Sequence, residues 1–288
     1  MRGALTPPMP RRADRGVRAV GAARAAGTIG AVALALSLLA GCGSEDQGSN
    51  TDDRLVDSLA VPDNGVCRNL TPDDVALPAN ATATVPCSEE HTAETFATGE
   101  LPEEFDDADY DDPELGRFAY RTCASAFAKF VQADESLVLR TTLSWAWFRP
   151  SQKAWDKGAR WYRCDVLGGS TASETYRPLP ETAKGMLAGR PPDVWLSCAR
   201  GPSVAEGEKV PCSQKHDWRA VTTVKLGQPE DPYPGDRVME SRTRSFCATS
   251  VKAWLNYPAE FEYGFTFFHK PEWDAGIRRS VCWAKTSE

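Results

Sequence analysis

Residues 85–91 read VPCSEEH, and residues 210–216 read VPCSQKH. A second pair of matching stretches follows, with WDKGARWYRC at 155–164 and WDAGIRRSVC at 273–282. The two motifs occur in the same order, and a further cysteine lies between them in each case. Two multi-residue matches in one order indicate a tandem duplication, and the rest of the sequence is interpreted as two copies of one unit.

Each copy contains the same order of predicted elements. A strand-like run follows VPCS at residues 93–101 in the first copy and 218–226 in the second. Apolar side chains then recur with helical spacing over 113–133 and 235–255. Further aromatic and β-branched runs, predicted as strands, occupy residues 139–148, 161–167, 263–268 and 280–284. The predicted fold class is α+β, in which two repeated small domains each pack one helix on an antiparallel sheet.

The helical spacing also predicts which side chains face the core. In the first copy the inward residues are predicted to be Leu115, Phe118, Cys123, Phe127 and Phe130. In the second copy they are predicted to be Val238, Phe246, Val251 and Trp254. Each helix is therefore expected to present an aromatic and aliphatic face to its sheet.

The N-terminal residues have the features of an export signal. Residues 1–41 contain six arginines and one acidic residue, and 27–40 carry no charge. A helix of that uncharged length would span about 21 Å, which is shorter than a bilayer core of about 30 Å. The sequence Leu39-Ala40-Gly41-Cys42 resembles a bacterial lipobox. We predict that 1–41 is a lipoprotein signal peptide and that Cys42 is lipidated, which would anchor the chain on the extracytoplasmic face of the cell membrane.

The remaining sequence divides into a tether and two domains. Residues 42–60 are mostly small, polar and acidic, which predicts a flexible tether. The first copy is assigned to 61–190 and the second to 191–288. The stretch 168–192 contains Gly, Ser, Thr and Pro, and is predicted to be either a late hairpin of the first copy or the linker between the copies.

Eight cysteines follow Cys42, and export favours their oxidation to disulfides. They are Cys67, Cys87, Cys123, Cys164, Cys198, Cys212, Cys247 and Cys282. Four fall in each copy, and four cysteines allow three connectivities, so the sequence leaves the pairing open.

The VPCSxxH motif, the helical cysteine and the WDxGxRxxxC motif together resemble the septum formation domain family of actinobacterial envelope proteins. The resemblance extends from about residue 61 to the C-terminus, as two copies. It implies an exported or membrane-tethered protein, with envelope or division proteins as possible partners. Family members commonly carry an acid three residues after the motif histidine. Glu94 fits this pattern, whereas the second copy has Arg219 there and Asp217 directly after the histidine.

The motif histidines have three interpretations. His91 paired with Glu94 would suit proton transfer in a hydrolase, although His216 lacks the equivalent acid. The Cys-x3-His spacing would suit zinc, but oxidised cysteines cannot bind it. The third interpretation, which we favour, is that each histidine bonds to the backbone in the turn after VPCS.

The WDxGxR motif has two interpretations. Trp155 and Trp273 could form aromatic platforms for sugars or peptides. Alternatively, each motif is a tight turn at glycine, with a Trp over the core and an internal Asp–Arg pair, which is the interpretation that we favour.

Composition and the absence of known catalytic motifs restrict the classes of function that the sequence supports. The chain is 41% hydrophobic and 25% charged, as in an average globular protein. Its net charge is −7 although residues 1–41 are basic, so the rest repels phosphate backbones and we expect no nucleic-acid partner. No GxSxG, HExxH, Walker or SxxK motif is present, and we expect no cofactor.

We predict a membrane-anchored, non-catalytic binding or scaffold protein. The alternatives are a cell-wall-acting hydrolase using His91 and Glu94, or a metal-binding protein.

Overall fold

The computed structural model describes residues 58–170 and 173–286. The predicted signal peptide, the lipidation site Cys42 and residues 42–57 of the predicted tether lie outside the described residues. Within the two described ranges, no helix combines the length and the apolar character needed to cross a membrane.

The first half of the described chain is a five-stranded antiparallel sheet with one long helix. Its strands are β1 (Cys67–Arg68), β2 (Thr84–Val85), β3 (Ala93–Glu100), β4 (Ser144–Phe148) and β5 (Trp161–Leu167). Its helices are α1 (Pro72–Val75), α2 (Pro113–Val131), α3 (Glu135–Val138) and α4 (Gln152–Trp155), with a 3-10 turn at Glu103–Phe105. The spatial order of the strands is β2-β1-β3-β5-β4, and α2 connects β3 to β4.

The second half repeats this topology. Its strands are β6 (Ser197–Arg200), β7 (Glu208–Pro211), β8 (Trp218–Lys225), β9 (Tyr263–Thr266) and β10 (Arg279–Lys285). Its helices are α5 (Asp236–Trp254) and α6 (Lys270–Ala275). The spatial order β7-β6-β8-β10-β9 matches that of the first sheet, position by position. The α+β prediction with two repeated units is therefore confirmed.

Both sheets also share one irregularity. The pairing of β3 with β5 shifts between Thr95 and Ala97, so that Phe96 is the extra residue. The pairing of β8 with β10 shifts in the same way, and Val221 is the residue left over. Phe96 and Val221 each follow their motif histidine by five residues. A bulge at equivalent positions indicates that the two halves share detailed geometry as well as strand order.

The eight cysteines form four disulfides, two in each half, which confirms the predicted disulfide framework. The pairs are Cys67–Cys87, Cys123–Cys164, Cys198–Cys212 and Cys247–Cys282. In each half one bond joins the first strand to the VPCS motif, and the other joins the long helix to the last strand. Each bond removes freedom from the unfolded chain and contributes about 2–4 kcal/mol.

The disulfides also set the rotation of each long helix. The buried residues of α2 recur every four positions and are Leu115, Ala119, Cys123, Phe127 and Val131. Phe118 and Phe130 are partly buried against neighbouring clusters. The buried residues of α5 are Met239, Thr243, Cys247 and Val251.

The predicted inward face of α5 is correct only at Val251. Val238, Phe246 and Trp254 are 37%, 39% and 49% exposed, so those predictions are wrong. Cys247 must face β10, and at 100° per residue this turns Val238 away from the sheet and Phe246 to one side. Trp254 follows Cys247 by two turns, so it lies on the same face of α5 as the cysteine. Its ring is nevertheless exposed, because no described segment packs over this end of the helix.

Residues 176–192 form no strand and instead run back over the end of α2. The backbone N–H of Gly185 donates to Phe130 O over 2.8 Å, and that of Leu187 donates to Val131 O over 3.0 Å. Leu179, Ala183 and Leu187 are buried in the core beneath. Residues 176–192 therefore cover the first helix, which is neither the hairpin nor the simple linker that were the two predictions for this stretch.

The two halves contact each other through α3. Glu135 accepts a hydrogen bond from Arg279 Nε over 2.7 Å, and Ser136 shares a hydroxyl–hydroxyl bond of 2.8 Å with Thr223. Arg140, just after α3, donates to Val221 O over 3.2 Å. The two described halves accordingly belong to one compact unit.

The sheet faces turned away from the long helices differ between the halves. In the first half, Arg163 lies 3.0 Å from Asp165, whose other oxygen accepts a bond of 2.7 Å from the Thr95 hydroxyl. Arg68 in turn donates to Thr95 over 2.8 Å. All four side chains are buried. The equivalent positions of the second half carry Ala199, Ala220, Val281 and Trp283. One copy therefore holds a buried charge network where the other has an apolar cluster.

Candidate functional site

The two motif histidines are buried and have the same geometry. His91 Nδ1 lies 2.8 Å from Glu89 O, and His216 Nδ1 lies 2.7 Å from Gln214 O. A carbonyl oxygen only accepts, so Nδ1 carries a proton in each ring and donates it to that carbonyl. Neither Nε2 has a hydrogen-bond partner among the described residues. Each histidine thus closes the turn after VPCS, two residues beyond the carbonyl to which it donates.

Glu94 holds the cover of α2 in place. Its two carboxylate oxygens accept bonds from the Thr182 hydroxyl at 2.9 Å and from the Ala183 N–H at 2.6 Å. The hydrogen bonds of the described residues include none between Glu94 and His91. The structure therefore does not bring these residues together as an acid–histidine pair. In the second half Arg219 occupies the position of Glu94 and pairs with Asp193 at 2.5 Å.

The cysteines beside the histidines are not available to a metal ion, since all eight are in disulfides. Within residues 58–170 and 173–286, no group of three or more His, Cys, Asp and Glu side chains is arranged to hold one.

The WDxGxR motif builds the same turn in both halves, with its tryptophan buried. The Arg160 guanidinium lies 4.0 Å from the centre of the Trp155 ring, and that of Arg278 lies 3.9 Å from the Trp273 ring. Each arginine donates to backbone carbonyls, including that of its own tryptophan. Each indole N–H donates to the loop before the long helix, at 3.2 Å in the first half and 3.0 Å in the second. Each motif arginine also donates to a carbonyl of that loop over 2.8 Å, so the arginine and the tryptophan together join the turn to the loop.

The motif aspartates do not pair with the motif arginines. Asp156 accepts from Gln152 at 2.9 Å, and Asp274 pairs with Lys270 at 2.5 Å. The predicted internal Asp–Arg pair is wrong, because the arginines are occupied by carbonyl oxygens. Both tryptophans are buried, so neither presents an open ring face as a platform.

A cleft between the two halves is the candidate functional site. Residues 116–121 of α2 form one wall, and the α6 turn with the loop at 229–233 forms the other. The main cavity has a volume of about 800 Å³ and continues into one of about 480 Å³ beside Trp145 and Trp147. Duplication therefore places the helix of one copy opposite the WDxGxR turn of the other.

At the base of this cleft, Tyr120 of the first half contacts Gly276 of the second half. A Cβ atom on Gly276 would lie 2.5 Å from the Tyr120 ring, so the ring packs directly on the glycine backbone. Gly276 also has a φ of 112°, which a residue with a side chain rarely adopts. Burial, with a smaller effect of Glu135, raises the pKa of Tyr120 to about 12, so its hydroxyl stays protonated at neutral pH.

The cleft lining is aromatic and basic. Its aromatic side chains are Tyr120, Trp145, Trp147, Tyr233 and Trp273. Its basic side chains are Arg117, Arg121, Lys270 and Arg278, and its acidic ones are Asp231 and Asp274. Arg117 pairs with Glu114 outside the lining, whereas no ion pair engages Arg121 among the described residues. In a chain of net charge −7, this cleft is a local surplus of positive charge.

The family model described as septum formation matches residues 43–149 and again residues 140–282. The chain belongs to the septum formation family. The predicted resemblance is thus confirmed, with two matches in tandem. No curated protein and no solved structure is significantly similar to the chain. The first match ends before β5, although β5 pairs within the first sheet, so the structure adds that strand to the first septum formation unit.

Sequence reasoning did not predict the cleft of this septum formation protein. Tyr120 and Arg121 lie outside both repeated motifs, and only the packing of one half on the other places them opposite residues 229–233. The one signal in the sequence was Gly276, three residues after the motif Trp273, because a glycine can mark a position where another chain segment approaches closely.

Proposed function

We propose that this septum formation protein is a lipoprotein tethered through Cys42, and that it acts as a non-catalytic binding or scaffold protein of the cell envelope. The family and the four disulfides support an extracytoplasmic location. The proposed anchoring rests on the lipobox-like residues before Cys42. The proposed link to septation, with envelope or division proteins as partners, rests on the family alone.

The cleft between the halves is the observation that supports a binding role. Aromatic side chains such as Trp145 offer surfaces for sugar rings or apolar groups, and Arg121 offers a charge with no ion-pair partner among the described residues. Ligand sites combine these two properties in a cavity of this size. We infer that the ligand is an envelope component with a carboxylate or phosphate close to a sugar ring or an apolar group.

The positions of the candidate catalytic groups favour binding over catalysis. His91 and His216 are buried, and each uses Nδ1 to hold its own turn. Both oxygens of Glu94 are occupied by the cover of α2. A general base needs to reach the proton that it removes, and these side chains are buried, with Glu94 already hydrogen-bonded through both oxygens.

Calorimetric titration with a carboxylate-bearing cell-wall fragment tests the proposal. The wild-type chain is expected to bind the fragment, and Arg121→Glu is expected to weaken binding by about tenfold or more, because it places a like charge against the ligand. Arg121 is exposed, so the variant should fold normally.

Arg242→Glu is the matched control, since Arg242 is an exposed arginine on the other long helix, outside the cleft. Equal affinity in the wild type and both variants, or no binding by the wild type, would contradict the cleft as the site. Cleavage of the fragment that is lost in Glu94→Gln would favour the hydrolase alternative.

A further inference from the structure

The C-terminal end of α5 carries an uncovered counterpart of a covered site in the first half. Phe130 and Trp254 each follow the helical cysteine of their half by two turns, so they occupy equivalent positions. Phe130 is partly buried and stacks on Phe96 with ring centres 5.7 Å apart. Trp254 is 49% exposed. The difference lies in what covers the two helix ends.

In the first half the cover is a segment of the chain itself. Residues 179–187 place Leu179, Ala183 and Leu187 in the core. Two of the segment's N–H groups bond to the last free carbonyls of α2, those of Phe130 and Val131. The segment therefore supplies both the apolar side chains and the donors that the helix end needs.

In the second half the equivalent groups have no such partner. Among the described residues, no N–H group donates to the carbonyl oxygens of Trp254 or Leu255. The chain then turns through Asn256 and Tyr257, whose φ angles are 64° and 59°. A left-handed backbone at a tyrosine is strained, and Tyr257 is itself 69% exposed. The exposed Trp254 ring, the carbonyl oxygens of Trp254 and Leu255 and the strained turn at Tyr257 thus lie together at the end of α5.

The charge at the edge of this surface is reversed between the halves. Glu94 pairs with Cys67 across the sheet, and Arg219 pairs with Cys198 in the same register. Glu94 accepts two hydrogen bonds from the covering segment, whereas Arg219 can only donate. Arg219 already pairs with Asp193 at 2.5 Å, so an occupant that engages Arg219 would offer a carboxylate in exchange for Asp193, where residues 182–183 offer a hydroxyl and an N–H to Glu94.

We propose that the surface formed by Trp254, Leu255 and Arg219 binds an extended segment of a partner protein in the way that 179–187 binds in the first half. The partner segment carries aliphatic residues about four positions apart and a carboxylate that replaces Asp193 on Arg219. Its backbone N–H groups donate to the free carbonyls of Trp254 and Leu255. This site is separate from the cleft between the halves.

Fluorescence anisotropy with two labelled peptides tests the proposal. One peptide is residues 176–190 of this chain, and the other is the same peptide with Thr182→Asp. The full chain with intact disulfides is expected to bind the Thr182→Asp peptide more tightly. Trp254→Ala is expected to weaken that binding about tenfold or more, as for a central aromatic in an interface. Arg219→Glu is expected to reverse the preference between the peptides, because it restores the charge of the first half.

Phe246→Ala is the matched control, since Phe246 is an exposed aromatic on the same helix but corresponds to Thr122 rather than to Phe130. An equal loss in Phe246→Ala would overturn the proposal, and so would binding that Trp254→Ala leaves unchanged or the failure of both peptides to bind. Trp254-dependent binding to anionic vesicles, without binding of either peptide, would assign the surface to the membrane instead.

Discussion

The buried charge network of the first half leads to the most quantitative prediction. Asp165 forms a direct ion pair with Arg163 and is linked to Arg68 through the Thr95 hydroxyl. Burial and the neighbouring Arg163 lower the pKa of Arg68 to about 10, and Asp165 opposes that shift. Asp165→Asn removes the negative charge, which leaves the buried Arg163 without its ion pair and removes one of the two carboxylates, with Asp63, that favour the charged form of Arg68.

The expected cost is about 3–5 kcal/mol of unfolding free energy, as for other buried pairs that lose one partner. With a urea dependence of about 2 kcal/mol per molar, the unfolding midpoint should fall by about 2 M. Urea unfolding followed by tryptophan fluorescence measures it. Glu208→Gln serves as the control, because its pair with Arg200 is exposed and should contribute about 0–1 kcal/mol.

A double-mutant cycle with Arg163→Met tests the reasoning further. If the two charges stabilise each other, the double variant should lose less than the sum of the single losses. A cost below about 1 kcal/mol for Asp165→Asn, or strictly additive losses, would refute the view that this network depends on charge compensation.

Two other expected outcomes follow from the cleft and from the N-terminal residues. The Tyr120 hydroxyl should ionise near pH 12; because the folded state raises this pKa, its stabilising contribution is complete below about pH 10 and is lost as the pH rises towards 12. Alkaline unfolding and tyrosinate absorbance should both show this component, and Tyr120→Phe should remove it; an unchanged profile would contradict the raised pKa of Tyr120. Cys42→Ser should move the protein from the membrane fraction to the soluble extracytoplasmic fraction, as measured by cell fractionation, and retention at the membrane would contradict anchoring through Cys42.

The repeated motifs were sufficient to predict the duplication, and the hydrophobic periodicity of each copy was sufficient to predict the fold class. The presence of disulfides was predicted from the export signal and the even number of cysteines. These patterns did not predict the disulfide pairing, which needs the distance between strands. The rotation of α5 was also missed. Phe246 looked like a core residue from its hydrophobicity, but the bond between Cys247 and Cys282 turns it aside.

Two further features depended on contacts distant in sequence. The cover of α2 had a weak signal in Leu179, Ala183 and Leu187, which recur every four residues in a stretch otherwise typical of a linker. The cleft had almost none, because Tyr120 meets Gly276 only after both halves have folded and packed through α3. Local periodicity reports which side chains are apolar, but it does not report which neighbouring segment will cover them.

Hydrogen–deuterium exchange with and without the cell-wall fragment tests the central claim most directly, because it locates binding without any substitution. The account predicts slower exchange on both walls of the cleft, at residues 116–121 and 270–276, when the fragment binds. Protection confined to one half away from these walls, or bound fragment with no protection at either wall, would contradict the claim that the cleft between the two copies is the binding site.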